Sequence, residues 1–465
     1  MNPLDPLDAA MMTAEWVSSP MHVGAVLILS PPGDAGPHYV DELHRMTLGR
    51  NDPIDPRLRR YPHRGVETGG MWVWRHMDPV DVSRHCERRT VSGDGFWRLI
   101  GELDALRLDW SRPMWTSYLI DGLDRGRFAF YIKVHHSVTD GVAGFQMITD
   151  ALSSDPARRS MPAFYADCRP EPSPPASAGL VSRLVAPLRS LTGAAASSVG
   201  LIGRVATGEV ATVLDALVGH TTALPLGAPY TRFNDRVGPE RAVAAGSWAK
   251  DRIQAVRQAA GVTGNDVLTA MAAGVVRRWL SDRGELPNRP LVAACPITVR
   301  DPEHETRNDQ HGNRFGLWMC PLATDVEDPL ARLNAIHRSM SEGKHWVAKR
   351  GAAASLLTNA GSIAATAIGP LLPFTPKIRT GYNLPISHVR GPVSEMYWNG
   401  ARIEEMYPVS TVYDGHALNI TTCAYADRIG FGYAAARDVV PDIEAFIPST
   451  EECLAELEAA VRIDG

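Results

Sequence analysis

Residues 127–141 constrain the fold more strongly than any other stretch of this chain. Apolar side chains occupy alternate positions over 128–134, which predicts a β-strand with one buried face. The sequence then reads His-His-Ser-Val-Thr-Asp-Gly over 135–141, and a helical pattern follows over 142–152. A junction between a strand and a helix can present a histidine to a ligand and still hold it rigidly.

The two adjacent histidines are expected to have different roles. Neighbouring side chains on a strand point to opposite faces, so His135 and His136 cannot both face one substrate. One of them should therefore be chemical and the other structural. Asp140 can fold back to fix the local backbone or the imidazole tautomer, and Gly141 should permit a turn that a Cβ would obstruct.

Three interpretations of this motif compete. The histidines can be a pair satisfied in a core, they can form a metal site together with Asp140, or one can be a general base. The strand geometry disfavours the metal site, and the sequence holds no second His/Cys cluster that would supply the remaining ligands. The complete pattern at a strand-to-helix junction favours the general base.

Length and composition exclude several classes of protein. A chain of 465 residues is long enough for two cores. The formal net charge of −5 and the lack of any run of like charges argue against a nucleic-acid partner. The six cysteines show no C-x-x-C spacing, which indicates reduced, cytosolic thiols. The first ten residues hold acids and prolines where an export signal needs bases and an apolar core.

The chain divides into three parts with strands and helices interleaved in the outer two, which predicts a mixed α/β class. Residues 1–160 form an N-terminal domain, 161–228 a proline-rich and helical linker, and 229–465 a C-terminal domain. Two hairpins are predicted, one joining 112–122 to 127–134 and one joining 417–425 to 428–433. A helix is predicted to begin at Trp248, and Thr263 is a plausible N-cap of the next one.

Two segments are candidates for contact with a lipid surface. Residues 180–218 are alanine-, glycine- and valine-rich with sparse arginines. They can form an amphipathic helix on lipid or a helix that joins the two domains. Residues 351–376 carry no charge and are long enough to cross a bilayer, but their polar residues and three prolines favour a buried or interfacial helix.

The motif at 135–141 resembles the active-site motif of the CoA-dependent acyltransferase superfamily. That group includes chloramphenicol and carnitine acyltransferases, plant acyltransferases, condensation domains and bacterial wax ester synthase/diacylglycerol acyltransferases. Several stretches, in the order of the last family, together resemble that family over nearly the whole chain. They are the leading Pro-Leu-Asp and residues 20–24, 112–115, 135–141, 265–266, 296–300, 418–420, 425 and 431–432.

The chain departs from that family at two motifs. Met114 stands in the middle of the Pro-Leu-Trp motif. The family's Asn-Val-Pro-Gly-Pro appears here as His-Val-Arg-Gly-Pro over 388–392. These differences bear on the preference for an acceptor or an acyl chain.

The resemblance implies an α/β fold of two chloramphenicol-acetyltransferase-like domains joined by a helical linker. It implies transfer of a long-chain acyl group from acyl-CoA, as co-substrate, to the hydroxyl of diacylglycerol. Long-chain alcohols, which would give wax esters, are also possible acceptors. It calls for no resident cofactor and no metal. Two alternatives are an acyltransferase acting on a polyketide or carrier-bound acceptor and a non-catalytic lipid-binding relative.

The residues and the resemblance together assign roles within the site. His136 is the expected general base, and His135 is structural. Asn265 is the candidate donor to the oxyanion, although it can equally be a plain helix cap, while Asp266 caps or orients its helix. His22 is either a second catalytic histidine or a packed residue lining a channel.

The expected products are insoluble, whereas the chain has no convincing membrane span and no export signal. The sequence therefore predicts a cytoplasmic protein that adheres to the inner membrane face or to lipid droplets. Residues 351–376 are the favoured contact, with 180–218 as the alternative.

Overall fold

The structure, a computed structural model, describes residues 2–4, 6–139, 141–168, 227–298, 315–350 and 381–463. The helices in these ranges are α1 (Pro6–Val17), α2 (Tyr39–Leu48), α3 (Phe96–Ala105), α4 (Gly141–Asp150), α5 (Lys250–Ala260), α6 (Gly264–Ser281), α7 (Pro329–Arg350) and α8 (Phe446–Ile463). The strands are β1 (Asn2–Pro3), β2 (His22–Ser30), β3 (Arg60–His63), β4 (Val73–His76), β5 (Cys86–Thr90), β6 (Trp115–Asp121), β7 (Phe128–His135), β8 (Arg241–Ala249), β9 (Val292–Thr298), β10 (Phe315–Pro321), β11 (Leu384–Arg390), β12 (Tyr397–Trp398), β13 (Ala401–Val409), β14 (Leu418–Tyr425) and β15 (Arg428–Ala436).

Two six-stranded sheets form the framework. The N-terminal sheet has the order β12-β13-β2-β7-β6-β5, and the C-terminal sheet has the order β10-β9-β11-β14-β15-β8. A smaller sheet contains β1, β4 and β3. Parallel pairing is found between β5 and β6 and between β11 and each of its neighbours. The mixed α/β class predicted from the sequence is confirmed.

Strand β7 is buried on both of its faces, not on one as the sequence predicted. Its even-numbered residues from Phe128 to Val134 pack in a core with α4 and β12. Ala129 and Tyr131 on the other face join a core that continues into the C-terminal sheet. The difference arises because β7 is an inner strand covered on each side, and Lys133 on the second face is buried among polar partners.

Strands β12 and β13 do not follow the domain division predicted from the sequence, which assigned residues 229–465 to the C-terminal domain. β12 and β13 belong to the N-terminal sheet, where β13 pairs antiparallel with β2. Residues at the start of the expected linker also pack in that half, since the ring of Phe164 lies 4.0 Å from Phe130 and 4.4 Å from Trp398. The N-terminal core therefore contains residues from all three of the parts predicted from the sequence. The remainder of the linker, 169–226, lies outside the described residues.

Two glycines on β15 allow the strands of the two sheets to approach closely. A Cβ at Gly430 would lie 2.5 Å from the carbonyl oxygen of Met406 on β13, and one at Gly432 would lie 1.9 Å from that of Pro408. Both distances are far below contact distance, so only a residue without a side chain fits here. This approach positions the end of β13 beside the C-terminal sheet.

The local predictions have mixed outcomes. Both hairpins are confirmed as β6 with β7 and β14 with β15. The N-cap is confirmed, since the hydroxyl of Thr263 accepts the Asp266 N–H and the Asp266 carboxylate accepts the Thr263 N–H. The helix start at Trp248 is wrong. The helix begins at Lys250, and Trp248 lies on β8, where it pairs with Ile429. Its indole ring packs on Phe431, and its indole N–H donates to Glu451 at 2.8 Å, which holds the residue in the strand.

Within the described ranges, no single helix is long and apolar enough to cross a membrane. The bent pair of α5 and α6, whose axes differ by 103°, passes the same test of length and composition. Residues 180–218 and 351–376, the two segments that the sequence suggested for lipid contact, lie outside the described residues.

Gly432→Ala should lower the free energy of unfolding by about 1–3 kcal/mol or more, because the new methyl group forces β13 and β15 apart. Urea unfolding measures this change. Gly33→Ala is the matched control, since a Cβ there would meet no described atom within 4 Å. Equal stability of the two variants would contradict the close approach of these strands.

Candidate active site

A cavity of ≈ 180 Å³, called here the central cavity, is lined by residues of both six-stranded sheets. One wall comes from β2, β7 and α4, and the other from β9, β11, β14 and the end of β13. Most of the lining is apolar. The apolar residues include Val23, Ala25, Ile132, Val134, Phe145, Met147, Ile148, Pro296, Val389 and Pro408.

His136 is one of the residues that line the central cavity. It directly follows β7 and lies on the same face as Ile132 and Val134, as alternation along the strand requires. The His136 N–H donates to the carbonyl oxygen of Met21 at 2.8 Å. Since Met21 directly precedes β2, this bond fixes the histidine against the neighbouring strand.

His135 points in the opposite direction and is completely buried. Its Nδ1 accepts from both the hydroxyl of Ser137, at 2.6 Å, and the Ser137 N–H, at 3.2 Å. Nε2 therefore carries the proton of the neutral ring, and it lies 2.9 Å from a carboxylate oxygen of Glu15 on α1. The two histidines do not converge on one ligand, which agrees with the division of roles expected from the sequence.

Serine, histidine and glutamate meet here in the combination of a hydrolytic triad, but Ser137 is not placed as a nucleophile. The serine is buried and does not line the central cavity. Both of its donors are directed at His135. No substrate carbonyl can reach its hydroxyl in this arrangement.

Glu15 connects the two histidines through Met21. Burial opposes ionisation of the carboxyl group, but the His135 ring and the backbone N–H of Met21 outweigh it and hold the pKa of Glu15 below its usual value. The Met21 N–H donates to Glu15 at 2.8 Å, and the Met21 carbonyl accepts the His136 N–H. One buried carboxylate thus contacts His135 and fixes the residue that holds His136.

His22 lies in a buried polar network behind β7 and not in the cavity. Its Nε2 is 2.9 Å from Asp104, which also accepts from the hydroxyl of Tyr131 at 2.8 Å. Burial and the nearby Lys133 ammonium lower the pKa of His22, although Asp104 opposes them. Burial also lowers the pKa of Lys133 to about 8. His22 is thus a packed residue, and it does not line the central cavity.

His388 on β11 lines the central cavity from the C-terminal sheet. The hydroxyl of Thr269 donates its proton to the carbonyl oxygen of Asn265. It can therefore only accept a hydrogen bond from Nε2 of His388, which lies 3.1 Å away. Nδ1 is then the acceptor for the hydroxyl of Thr422 at 2.8 Å. Burial lowers the pKa of His388 to about 4, against the opposing charge of Asp266, so this imidazole is neutral at physiological pH.

Three hydroxyl groups, called here the hydroxyl cluster, also line the central cavity: Ser387, Ser410 and Thr421. Thr421 lies 2.8 Å from Ser387 and 2.9 Å from Ser410. Asn419 donates its amide N–H to the carbonyl of Thr411, so its oxygen must accept the proton of Thr421. Both serines therefore donate to Thr421, and each can turn its O–H to a substrate by rotation about one bond.

The predicted site residues are only partly brought together. His136 and Gly141 line the central cavity, and His135 supports them from behind. A Cβ at Gly141 would meet no described atom within 4 Å, so the expected steric reason for this glycine is wrong. Gly141 instead begins α4, where the lack of a side chain leaves space in the cavity. Asp140 lies outside the described residues.

Asn265 is exposed in the first turn of α6 and does not line the central cavity. Its role at an oxyanion stays a prediction. The same helix reaches the cavity wall one turn later through Thr269 and His388. Asp266 caps the helix as expected and also lies 2.7 Å from Nδ1 of His337.

The sequence did not identify the hydroxyl cluster or His388 as site residues. The motif at 388–392 did carry a signal, because histidine stands there in place of the asparagine of the family that the chain resembles.

The fold is that of two-domain CoA-dependent acyltransferases and condensation domains. The structure resembles that of the wax ester synthase/diacylglycerol acyltransferase from Marinobacter aquaeolei VT8, with a TM-score of 0.76 and 29% sequence identity. This match covers 99% of the present chain and 100% of the Marinobacter chain. The starter condensation domain of rhizomide synthetase is 11% identical with a TM-score of 0.56, over 99% and 94% of the two chains, and shows the fold alone. The expected architecture of two chloramphenicol-acetyltransferase-like halves is confirmed.

Sequence comparison is more specific. The wax ester synthase/diacylglycerol acyltransferase catalytic domain matches residues 4–268, and the C-terminal domain of that family matches residues 311–458. A "probable diacylglycerol O-acyltransferase" of Mycobacterium tuberculosis is 35% identical over 471 residues, which cover 100% of both chains. The chain belongs to the wax ester synthase/diacylglycerol acyltransferase family, and it is an acyltransferase.

Acidification should destabilise the protein through His388. Its pKa is about 4 in the folded state and about 6.5 when unfolded, so between these values only the unfolded chain binds the proton. The free energy of unfolding should then fall as the pH falls through this window. His388→Gln removes this titration and should lose less stability than the wild type between about pH 7 and 4.

Urea unfolding at a series of pH values measures the difference. His416, whose pKa burial lowers to about 3, contributes in the same direction but is present in both proteins. An equal loss in the two proteins would contradict a His388 imidazole that stays neutral in the folded protein.

Proposed function

We propose that the protein moves a long-chain acyl group from acyl-CoA to the hydroxyl of diacylglycerol, which produces triacylglycerol. The observation that carries the proposal is the position of His136, which lines the central cavity while the side chain of His135 contacts Glu15 instead. The relative from Mycobacterium tuberculosis, whose name states diacylglycerol O-acyltransferase activity, supports the substrate class over its full length.

The proposed reaction needs one base and a ternary complex. Nε2 or Nδ1 of His136 removes the proton of the acceptor hydroxyl as its oxygen attacks the thioester carbonyl. The tetrahedral intermediate then expels CoA as its thiolate, and His136 returns the proton to that sulfur. An imidazole acting in this way typically contributes about 10²–10⁴ in rate. The atoms balance with acyl-CoA as co-substrate, without an acyl-enzyme and without a resident cofactor.

His136 is a better candidate for the base than His388, the other histidine that lines the cavity. Both ring nitrogens of His388 are engaged by threonine hydroxyls, and its pKa of about 4 makes it a weak base. Efficient general bases have a pKa near the working pH. His388 is therefore assigned to the wall of the site.

The tetrahedral intermediate also needs a hydrogen-bond donor for its oxyanion. Asn265 remains the proposed donor, and it would have to be shielded from water when substrates bind, because an exposed amide is already hydrated. Asp140 is proposed to orient the loop that follows His136. Its contribution would be geometric and not that of an acid.

The hydroxyl cluster supports diacylglycerol as the acceptor in preference to a plain long-chain alcohol. Diacylglycerol carries ester oxygens beside its reactive hydroxyl, and Ser387 and Ser410 can donate to such oxygens by turning away from Thr421. A fatty alcohol offers an apolar chain at the same place. Wax ester synthesis is therefore the secondary activity in this proposal.

We also propose that the protein associates reversibly with the inner membrane face or with lipid droplets, since diacylglycerol and triacylglycerol are insoluble. Release of CoA from palmitoyl-CoA that depends on added diacylglycerol tests the main proposal. CoA release that requires a carrier-bound acceptor would favour the polyketide alternative, and no release with any acceptor would favour a lipid-binding relative.

His136→Ala should remove acyl transfer and leave the fold intact, because the proton then has no carrier. His135→Ala should instead lower the free energy of unfolding by roughly 1.5–3 kcal/mol, because it removes one of the hydrogen-bond donors of the buried Glu15 carboxylate. CoA release and thermal melting distinguish the two. A stable, inactive His135 variant beside an active His136 variant would show that the roles are reversed.

Ser410→Ala should lower the ratio of turnover with diacylglycerol to turnover with hexadecanol by about two- to tenfold, the value of one hydrogen bond. Competition between the two acceptors in one reaction gives this ratio directly. Ser92→Ala, an exposed serine outside the cavity lining, is the control. An unchanged ratio in the Ser410 variant would remove the hydroxyl cluster from acceptor selection.

A further inference from the structure

Large hydrophobic side chains are exposed mainly on one surface of the N-terminal half. Among the described residues, five large hydrophobic side chains are exposed, and four of them come from three neighbouring segments. They are Trp16 at the end of α1, Val66 and Met71 in the loop between β3 and β4, and Leu106 after α3. Their exposed fractions are 71%, 97%, 61% and 53%.

Contacts between aromatic rings join these segments into one surface, called here the tryptophan face. The ring of Trp110 lies 5.9 Å from Trp16 and 5.4 Å from Trp72. Arg107, next to Leu106, donates to the carbonyl of Glu15 at 2.7 Å and so holds its segment against α1. The face is thus formed by rings and chain segments that contact one another.

The charged groups around the tryptophan face are mainly positive. The guanidinium of Arg64 lies 5.5 Å over the ring of Trp72. The flanking charges are four arginines, Arg64, Arg75, Arg107 and Arg112, and three carboxylates, Glu67, Asp109 and the buried Glu15. Each carboxylate contacts an arginine, Glu67 with Arg75, Asp109 with Arg112 and Glu15 with Arg107, which leaves Arg64 as the excess positive charge. An excess of positive charge therefore borders the exposed rings, although the whole chain is negative.

We propose that the tryptophan face docks on the surface of an anionic phospholipid membrane. Tryptophan is enriched where membrane meets water, since its ring is apolar and its N–H is polar. Exposed apolar side chains insert at the boundary between headgroups and acyl chains, and adjacent arginines bind anionic headgroups. The reason for docking rests on the proposed function, because the acceptor of that reaction is held in lipid.

The docking surface adjoins the active-site network. The indole N–H of Trp110 donates to one carboxylate oxygen of Glu15 at 3.3 Å, and the other oxygen contacts His135 at 2.9 Å. Docking at this face would therefore place the lipid surface beside the half of the protein that holds His136.

The test combines Trp16→Ser, Val66→Ser and Met71→Ser in one full-length variant. Flotation with vesicles of phosphatidylcholine and phosphatidylglycerol should show binding about tenfold weaker or more than for the wild type. Val393→Ser is the matched control, since Val393 is 85% exposed but lies between β11 and β12. Arg64→Gln should weaken binding to these vesicles more than to vesicles of phosphatidylcholine alone.

Thermal melting establishes that the variants fold. If the triple variant unfolds, Val66→Ser with Met71→Ser replaces it, because both side chains are mainly exposed and support no core. Wild-type binding by a folded triple or double variant would overturn the proposal. A change of oligomeric state in light scattering, with unchanged vesicle binding, would also overturn it and assign the face to a second copy of the chain.

Failure of membrane docking and failure of the proposed acyl transfer can be distinguished by experiment. CoA release with diacylglycerol dispersed in detergent should be the same for the triple variant and the wild type, whereas release with diacylglycerol in vesicles should fall with binding. Failure of the wild type in detergent would reject the proposed function and leave the vesicle measurement valid. Equal rates for both proteins on vesicles would reject the docking proposal.

Discussion

The polar side chains on one face of β7 have to be satisfied inside the protein, because both faces of this strand are buried. Lys133 is satisfied by carbonyls at the end of α3, and His135 by Glu15 and Ser137. Unpaired charges in such a position would cost several kcal/mol each. Helix α1 has to lie where Glu15 can contact His135, and α3 has to lie where its last carbonyls can accept from Lys133. The opposite face is left free to form an apolar cavity wall that ends in His136.

The second wall of the cavity depends on a close approach of backbones. Gly430 and Gly432 allow β13 to cross β15, and the chain then continues from Pro408 to Ser410 at the cavity. The first sheet therefore supplies His136, and the second supplies His388 and two of the hydroxyl groups. Neither sheet alone encloses the substrate. This explains why a chain with two similar halves needs both of them for one site.

The sequence predicted the elements that depend on local pattern. Alternation identified β7, turn spacing identified the two hairpins, and Thr263 with Asp266 identified a helix start. The opposite directions of His135 and His136 also followed from strand geometry. The sequence could not predict contacts between distant segments. The membership of β13 in the first sheet, the contact of Glu15 with His135 and the position of Ser410 all depend on pairings that no local pattern encodes.

The pairing of β2 with β13 has a consequence for synthesis of the protein. Gly24 is paired with Val409, so most of the chain has to leave the ribosome before β2 acquires its outer neighbour. Until then the strand Ala-Val-Leu-Ile-Leu over 25–29 is an open sheet edge with unpaired backbone groups, which favours aggregation between nascent chains. The long sequence separation also makes this pairing a slow step of folding. A cell that makes this protein in quantity would therefore depend on chaperones that shield one apolar edge for most of the translation time.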